Sequence, residues 1–462
     1  MKLLVALCVS AAAAASIPAA EPVDQTQEGL PLSDFEAEEF PSVTPEEAAA
    51  GDDILHMNYI LSGRSAEKGW PLSTFKEVPH VSPEEIRQHK DVGPNNFSAL
   101  PVFGPGHHHN LQSFFDESRH RMGHEVHFLS EIIQEKTERL VDRIGDRIGD
   151  RIDRLEDALD NFLEPRDAGD CTNPNIRYEW DNYSTSDKKA FISAVQCLIN
   201  AKPSGKFSPS KNRYEDFVRL HQSYAPNIHS RSTQVQTHKF LLWHRYYFWA
   251  FEQVLRDECG FNRAMPWWDE KKWAGKFSQS TLFTDQYFGV LTGPTGNSAT
   301  CLGTGPFAGL QSSLGPGQTT NNPHCVQRAV DERATAETGV NSYNLCQGRT
   351  TYPEFHSCVE FSFHAQGHNG VGGTMKDSIA SPGDPAFFMH HSYVDYTFRK
   401  WQLGSLTRRT TISGCADNNG CPPLTLDTMI YMGGICGSKC PNLPVRELLR
   451  TLQGHFCYKY NY

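Results

Sequence analysis

The spacing of apolar residues predicts a long amphipathic helix between residues 118 and 165. Its apolar positions recur at intervals of three, four or seven residues, and they are Val126, Leu129, Ile133, Leu140, Ile144, Ile148, Ile152, Leu155, Leu159 and Phe162. The run DRIGDRIGDRIDRL repeats every four residues and places Asp against Arg along the polar faces. Such a helix cannot bury its apolar stripe alone. We therefore expect it to self-associate or to mask an active site.

Three shorter helices are predicted downstream, at Asp187–Ala201, Arg213–His221 and Phe240–Cys259. The third carries apolar side chains nearly all round, which indicates a buried helix. Residues 295–325 are rich in Gly, Thr and Pro and predict a long loop, and residues 405–462 are also loop-rich. The pattern therefore predicts a mainly α protein with long loops.

The N-terminal part of the chain has a different pattern. Residues 1–20 combine Lys2 with a short, Ala-rich apolar run, which is typical of a secretory signal and too short to span a membrane. Residues 21–117 are acidic at the start, rich in Pro, Ser and Glu, and lack sustained periodicity, so they predict a flexible propeptide or linker. We place the start of the main folded domain, residues 171–462, after the long helix.

Cysteine usage supports a secreted protein with disulfide-tied loops. The chain has 13 cysteines, of which Cys8 lies in the signal and the other 12 lie from Cys171 onward. An even number in an oxidising compartment allows up to six disulfides, whose pairing the sequence leaves open. Cys436 and Cys440 could also bind zinc, although disulfides are favoured in a secreted chain.

The net charge bears on the partners of the protein, and two glycosylation motifs bear on its location. The net charge is −11, which argues against a nucleic-acid or anionic-membrane partner. Sequons at Asn96 and Asn182 are consistent with a secreted glycoprotein.

Four histidines within residues 171–462 form a candidate metal site. His364 and His368 are four residues apart, a spacing that puts two imidazoles on one helix face. His390 and His391 are adjacent, and one of them could complete a three-nitrogen site. Asp395, one turn later, is placed to orient a ligating histidine. The spacing alone does not decide between His390 and His391.

A second set of histidines lies on and before the buried helix. His221, His229, His238 and His244 fall within 24 residues. Two histidine sets borne on or beside helices suggest two adjacent metal ions inside a four-helix bundle. Ligation by imidazoles alone suits copper or zinc. Copper, which changes oxidation state, would allow the pair to react with dioxygen.

Several longer motifs resemble the tyrosinase/catechol oxidase family of type 3 dinuclear copper proteins, and they are most similar to its short secreted fungal forms. These motifs are CTNPNIRYEW at 171–180, FLLWHRYYFWAFEQVLRDECG at 240–260, MPWWD at 265–269, NPHCVQR at 322–328 and HAQGHNGVGG…SPGDPAFFMHHSYVD at 364–395. The DPxFFxxHHxxxD signature is specific. The resemblance implies a four-helix-bundle core that holds two copper ions.

The resemblance also implies ligands for each ion. For the second copper it implies His364, His368 and His391, which makes His390 a neighbouring non-ligand. For the first copper it implies His221 and His244, together with a middle ligand. His229 keeps the eight-residue spacing from His221 that many fungal relatives show, so we favour it over the alternative, His238.

Four further positions take roles from the resemblance. Glu360 matches a glutamate that holds a water near the second copper. Ala365 stands where members that hydroxylate phenols tend to carry Asn, and its methyl group cannot hydrogen-bond. Asp269 and Asp395 are candidates for orienting ligands.

The implied function is a secreted copper oxidoreductase that oxidises o-diphenols to o-quinones with dioxygen. Ala365 favours diphenols, while o-aminophenols and monophenols remain candidate substrates. The alternative is a hemocyanin-like protein that binds dioxygen reversibly. A dizinc hydrolase is disfavoured because such sites usually include carboxylate ligands.

Overall fold

The computed structural model describes residues 78–79 and 171–461. Apart from Val78 and Pro79, the predictions made for residues 1–20, 21–117 and 118–165 lie outside this part of the chain. The described residues form a helix-rich fold with long loops, which confirms the predicted fold class. Among them, no helix combines the length and the apolar character needed to cross a membrane.

Helices surround the centre of the fold. In chain order they are α1 Thr185–Asn200, α2 Arg213–Ile228, α3 Phe240–Cys259, α4 Glu332–Ala336, α5 Val340–Gln347, α6 Tyr352–Val359, α7 Ala365–Val371, α8 Ala386–Leu403 and α9 Leu406–Thr410. The central four are α2, α3, α7 and α8, and the histidines of the two predicted sets lie on these helices or directly beside them. Helices α3 and α8 pack against each other through large buried aromatic side chains, such as the stacked pair Phe251 and Phe388, whose ring centroids lie 3.6 Å apart.

Two of the predicted helix boundaries can be explained residue by residue. Helix α3 has the predicted bounds because Gly260 adopts the left-handed conformation, with φ of 63°, that ends many helices. Helix α2 begins at the predicted residue, where the Asn212 side chain accepts a hydrogen bond from the Glu215 N–H. It continues past His221 to Ile228, because Ala225 and Ile228 extend its buried face.

A wide helical turn leads into α7. Helix α6 begins with a capping box formed by Thr351 and Glu354. It passes directly into a π-type turn at Glu360–His364, in which Ser362 has non-helical angles (φ −112°, ψ −107°). Such wide turns inside helices are frequent at functional sites. Here the turn carries Glu360 and His364.

The strands are short, with two to five residues each. They are β1 Asn175–Glu179, β2 Met265–Trp267, β3 Thr300–Cys301, β4 Gln311–Ser312, β5 His324–Cys325, β6 Gln327–Arg328, β7 Met429–Ile430, β8 Leu443–Pro444 and β9 Tyr458–Tyr460. Strand β1 lies between β2 and β9 and is parallel to both. The other strands pair in antiparallel twos. The three-stranded sheet therefore joins the first and last parts of the described domain.

All twelve described cysteines form disulfides. The pairs are Cys171–Cys457, Cys197–Cys259, Cys301–Cys325, Cys346–Cys358, Cys415–Cys421 and Cys436–Cys440. This confirms the expectation of disulfide-tied loops. The zinc alternative for Cys436 and Cys440 is wrong, because the two sulfur atoms are bonded to each other.

A buried charge cluster joins the sheet to α3 and α8. Asp395 accepts hydrogen bonds from Arg245 at 2.6 Å and Arg177 at 2.8 Å, and from the hydroxyls of Tyr458 and Tyr460 at 2.6 Å each. Both of its oxygens are thus engaged by groups outside the histidine sets. The expectation that Asp395 orients a metal-ligating histidine is therefore wrong.

Candidate metal centre

Helices α2 and α3 bring three histidines of the first set together. His221 lies within α2, His229 caps its C-terminal end and His244 lies on α3. One nitrogen of each lies within 4.8 Å of the others. His238 lies outside this group, because its Nδ1 accepts a hydrogen bond from the Cys415 N–H at 2.9 Å and its ring packs on His356. The fold therefore places His229, and not His238, beside the other two.

The second set comes from the turn before α7, from α7 itself and from α8. Nitrogens of His364, His368, His390 and His391 lie within 4.8 Å of one another. The Nε2 atoms of His368 and His391 are 3.2 Å apart. The two sets are adjacent, since the rings of His244 and His391 stack with centroids 4.3 Å apart.

Backbone carbonyls orient most of these imidazoles. The Nδ1 atoms lie 2.7 to 3.1 Å from carbonyl oxygens, in the pairs His221 with Ile379, His229 with Ala225, His244 with Phe240, His364 with Glu360 and His368 with Met375. A carbonyl only accepts, so each Nδ1 carries the proton and each Nε2 keeps a free lone pair. The Nε2 atoms of His221, His244 and His364 are buried with no hydrogen-bond partner.

Burial keeps these histidines neutral. It lowers their pKa well below the ordinary range of histidine, and nearby imidazoles lower it further, for His221, His244, His364, His368 and His391. For His229, burial lowers the pKa to about 4. Neutral imidazoles are the form that binds metal.

The donor set therefore fits two metal ions. Buried Nε2 atoms without partners would be costly in a structure that used them for nothing. Neutral imidazole ligands without thiolates suit copper or zinc rather than magnesium or calcium. Aromatic rings close the site from the side: Phe240 lies 4.6 Å from His244 and 4.4 Å from His364 between ring centroids, and Phe387 stacks on His391.

His390 differs from the other histidines because it has a carboxyl partner, which the sequence reasoning missed. Its Nδ1 lies 2.6 Å from Oε1 of Glu270, which is fully buried. Burial raises the pKa of Glu270 well above its usual range and lowers that of His390 to about 3. Both shifts favour a neutral pair, in which the carboxyl group donates its proton to Nδ1. Sequence gave no signal for this contact, because 120 residues separate the pair.

Glu360 lies beside both sets. Its Oε1 accepts a hydrogen bond from the Ser230 N–H at 2.8 Å, and its Oε2 is buried without a partner. Burial raises the pKa of Glu360 to about 8, and the hydrogen bond from Ser230 opposes that rise. The carboxyl lines a small cavity with His229, His364 and His368.

Ala365 and Asp269 are the two remaining positions to which the resemblance gave a role. Ala365 is fully buried at the start of α7 and presents only a methyl group. Asp269 accepts a hydrogen bond from the Lys271 N–H and caps a short helical turn, so the structure gives it a local role.

The comparisons with known proteins agree with this geometry. A family model described as the common central domain of tyrosinase matches residues 211–403. Tyrosinase ustQ of Aspergillus flavus is 30% identical over 302 residues, which cover 63% of this chain and 80% of the relative. Tyrosinase P of Aspergillus terreus is 29% identical over 340 residues, covering 63% of this chain and 93% of the relative.

One further sequence relative is an oxidase, and one solved structure has a similar fold. The N-acetyl-6-hydroxytryptophan oxidase ivoB of Emericella nidulans is 26% identical over 350 residues, covering 62% of this chain and 92% of that protein. A mutant polyphenol oxidase from Thermothelomyces thermophila has a similar structure, with a TM-score of 0.59 and 25% identity. That likeness covers 70% of this chain and 98% of the other.

Proposed function

This chain belongs to the tyrosinase family of type 3 copper oxidases, whose cofactor is a pair of copper ions, and we propose that it is a secreted enzyme that oxidises o-diphenols to o-quinones with dioxygen. One observation carries the proposal. Two sets of buried, neutral imidazoles lie side by side, and Nδ1 hydrogen bonds to carbonyls leave the Nε2 lone pairs of most of them free.

We assign three histidines to each ion. The first copper is held by His221, His229 and His244, and the second by His364, His368 and His391. His390 is excluded because of its hydrogen bond with Glu270. In the neutral pair that burial favours, Nδ1 accepts the carboxyl proton, so Nε2 of His390 keeps its own proton and has no lone pair for a metal.

The chain's own residues position the reactants and handle protons. When bound, the copper pair supplies the redox chemistry that reduces dioxygen to water. Each diphenol loses two electrons and two protons, so two diphenols are oxidised for each dioxygen. Oε2 of Glu360 lacks a partner, and in its ionised form the carboxylate takes the proton of a phenolic hydroxyl. Phe240 and Phe387 keep water from the imidazoles.

Ala365 supports diphenols as the preferred substrates. Its methyl group cannot help to hold a water that deprotonates a monophenol. The oxidase of Emericella nidulans is named for a hydroxylated aromatic compound. A monophenol and an o-aminophenol are therefore tested beside the diphenol in the oxygen-uptake experiment below.

The test is oxygen uptake by the copper-loaded protein after removal of the N-terminal segment. We expect uptake with 4-methylcatechol, and slower uptake with tyrosine and an o-aminophenol. A Glu360→Gln variant keeps the shape but cannot take a proton, so kcat/KM should fall about 100-fold or more at unchanged copper content. Reversible dioxygen binding without turnover, or bound copper without uptake, would refute the proposal.

Secretion is supported by the signal-like residues 1–20 and by the six disulfides of the described domain. Expression in a fungal host tests it directly. The protein should be found in the culture medium with its N-terminus after residue 20, and retention inside the cell with an intact N-terminus would contradict this.

A further inference from the structure

A short piece of the N-terminal region lies at the metal centre. Val78 and Pro79 line the same cavity as Glu360, His364 and His368. Val78 is 5% exposed, although it stands 291 residues from the helix that it contacts. A specific contact is needed to keep a segment so far away in the chain buried at this position.

Asn369 provides that attachment through its side-chain amide. The Val78 N–H donates to Oδ1 of Asn369 at 2.9 Å, and Nδ2 of Asn369 donates to the Val78 carbonyl at 3.0 Å. One side chain thus satisfies both backbone groups of one residue, as a neighbouring strand would. Asn369 is itself buried on α7, next to His368. Because the contact involves only backbone atoms of Val78, any extended peptide with a free N–H can make it.

The residue that follows explains why Val78 suits this contact. A residue before proline favours an extended backbone, in which its own N–H and C=O point to the same side. Pro79 therefore favours the conformation in which both groups of Val78 face one amide. Pro79 also has no N–H of its own to leave unsatisfied beside the cavity.

The segment leaves too little space for a substrate. With Val78 and Pro79 in place, the remaining cavity volume is about 10 Å³, which is room for roughly one water molecule. A phenol ring is much larger than a water molecule. Val78–Pro79 and a phenol that reaches Glu360 therefore exclude each other.

We propose that the segment containing Val78–Pro79 is an intramolecular inhibitor, and that Asn369 and the cavity beside it form its binding site for an extended peptide. The inhibitory effect rests on the proposed oxidase function, whereas the binding site does not. While the segment is tethered, its effective concentration at the site is high. Cleavage between Pro79 and Cys171 would turn it into a free peptide that diffuses away.

The first experiment changes the segment within the full chain. Val78→Lys places a charge where an apolar side chain is buried, and Val78→Ile is the matched control that keeps an apolar, β-branched side chain. Because a charged side chain is costly to bury at this position, the segment of the lysine variant should leave the cavity and give up both backbone hydrogen bonds to Asn369. We therefore expect its kcat/KM for 4-methylcatechol to rise about tenfold or more over the unchanged protein. The isoleucine variant should stay close to the unchanged protein. Equal turnover in all three proteins would overturn the inhibitory role.

The second experiment measures binding without turnover. A peptide with residues 74–83, TFKEVPHVSP, is titrated by calorimetry into the Val78→Lys protein, whose site is open. A matched peptide carries an N-methyl group on the Val78 amide and cannot donate to Asn369, but it keeps His80 and every other side chain. We expect binding of the first peptide and at least about tenfold weaker binding of the second.

The two experiments separate the two proposals. Peptide binding that depends on the Val78 N–H, in a protein that never consumes oxygen, would support the peptide site and refute the oxidase. Equal binding of both peptides, or no binding, would refute the peptide site even if the protein oxidised catechols well.

Discussion

Backbone carbonyls, rather than carboxylates, fix five of the six imidazoles that we assign to copper. The Nδ1 of His244 and that of His364 each donate to the carbonyl four residues earlier, so the helix that carries the ring also sets which nitrogen is protonated. His390, which we do not assign to copper, has the carboxyl group of Glu270 as its partner instead. Gly367 on α7 leaves room for this pair, because a Cβ there would lie 2.4 Å from Cε1 of His390 and 3.1 Å from Oε2 of Glu270.

Gly367→Ala should therefore disturb the second copper site. The added methyl group must displace His390 or shift α7, which carries His368, at an expected cost of about 1–3 kcal/mol in the free energy of unfolding. Copper content by metal analysis should fall toward one ion per chain. The control is Gly348→Ala, where the new Cβ meets nothing closer than 3.5 Å. Full copper loading in Gly367→Ala would contradict the prediction.

Helices α3 and α8 are joined to the sheet by the charge cluster around Asp395. Burial alone would raise the pKa of Asp395, but Arg245 and Arg177 outweigh it, so the pKa lies below its ordinary value of 3.8. A depressed carboxyl pKa means that the folded state binds fewer protons than the unfolded state near that pH. The cluster therefore stabilises the fold above the unfolded pKa, and this contribution is lost as the pH falls through the folded pKa.

Asp395→Asn tests this cluster. It leaves Arg177 and Arg245 buried without their shared carboxylate, which should cost about 3–5 kcal/mol in the free energy of unfolding at pH 7. The loss of stability below about pH 4 should also become shallower, because one titrating group is gone. Asp257→Asn is the control, since Asp257 pairs with Lys439 at the surface and should contribute about 1 kcal/mol or less. Urea unfolding at several pH values measures both.

The whole domain is closed by a link between its two ends. Strands β1 and β9 pair side by side, and the Cys171–Cys457 disulfide joins the residues that flank them across 286 positions. A covalent link across so long a loop restricts the unfolded chain more than a short one does. The same domain also contains a four-residue link, Cys436–Cys440.

Removal of the long link should cost more than removal of the short one. The Cys171→Ala, Cys457→Ala double variant should lose about 2–5 kcal/mol of unfolding free energy, and the Cys436→Ala, Cys440→Ala variant should lose less. Copper content should stay at two ions in both, because no cysteine belongs to the histidine sets. Thermal unfolding with metal analysis checks this, and equal losses would contradict the loop-length argument.

Residues close in sequence were enough to predict the mainly α core, the bounds of α3 and the two histidine sets. Helical periodicity and four-residue spacing are local properties, and Gly260 ends α3 through its own backbone conformation. The C-terminal end of α2 was missed because Ala225 and Ile228 show their burial only when neighbouring helices are in place. The choice between His229 and His238 likewise rested on a resemblance until the fold brought His229 alone to His221 and His244.

Contacts between distant residues were decided by the tertiary structure alone. Asp395 lies one helical turn from His391, yet it binds the arginines of β1 and α3. A buried guanidinium group without a counter-charge costs more free energy than an imidazole ring without an orienting carboxylate. The Glu270–His390 pair and the Val78–Asn369 contact join residues 120 and 291 positions apart. Sequence spacing carries no information about such pairs, since they exist only once the chain has folded around the metal centre.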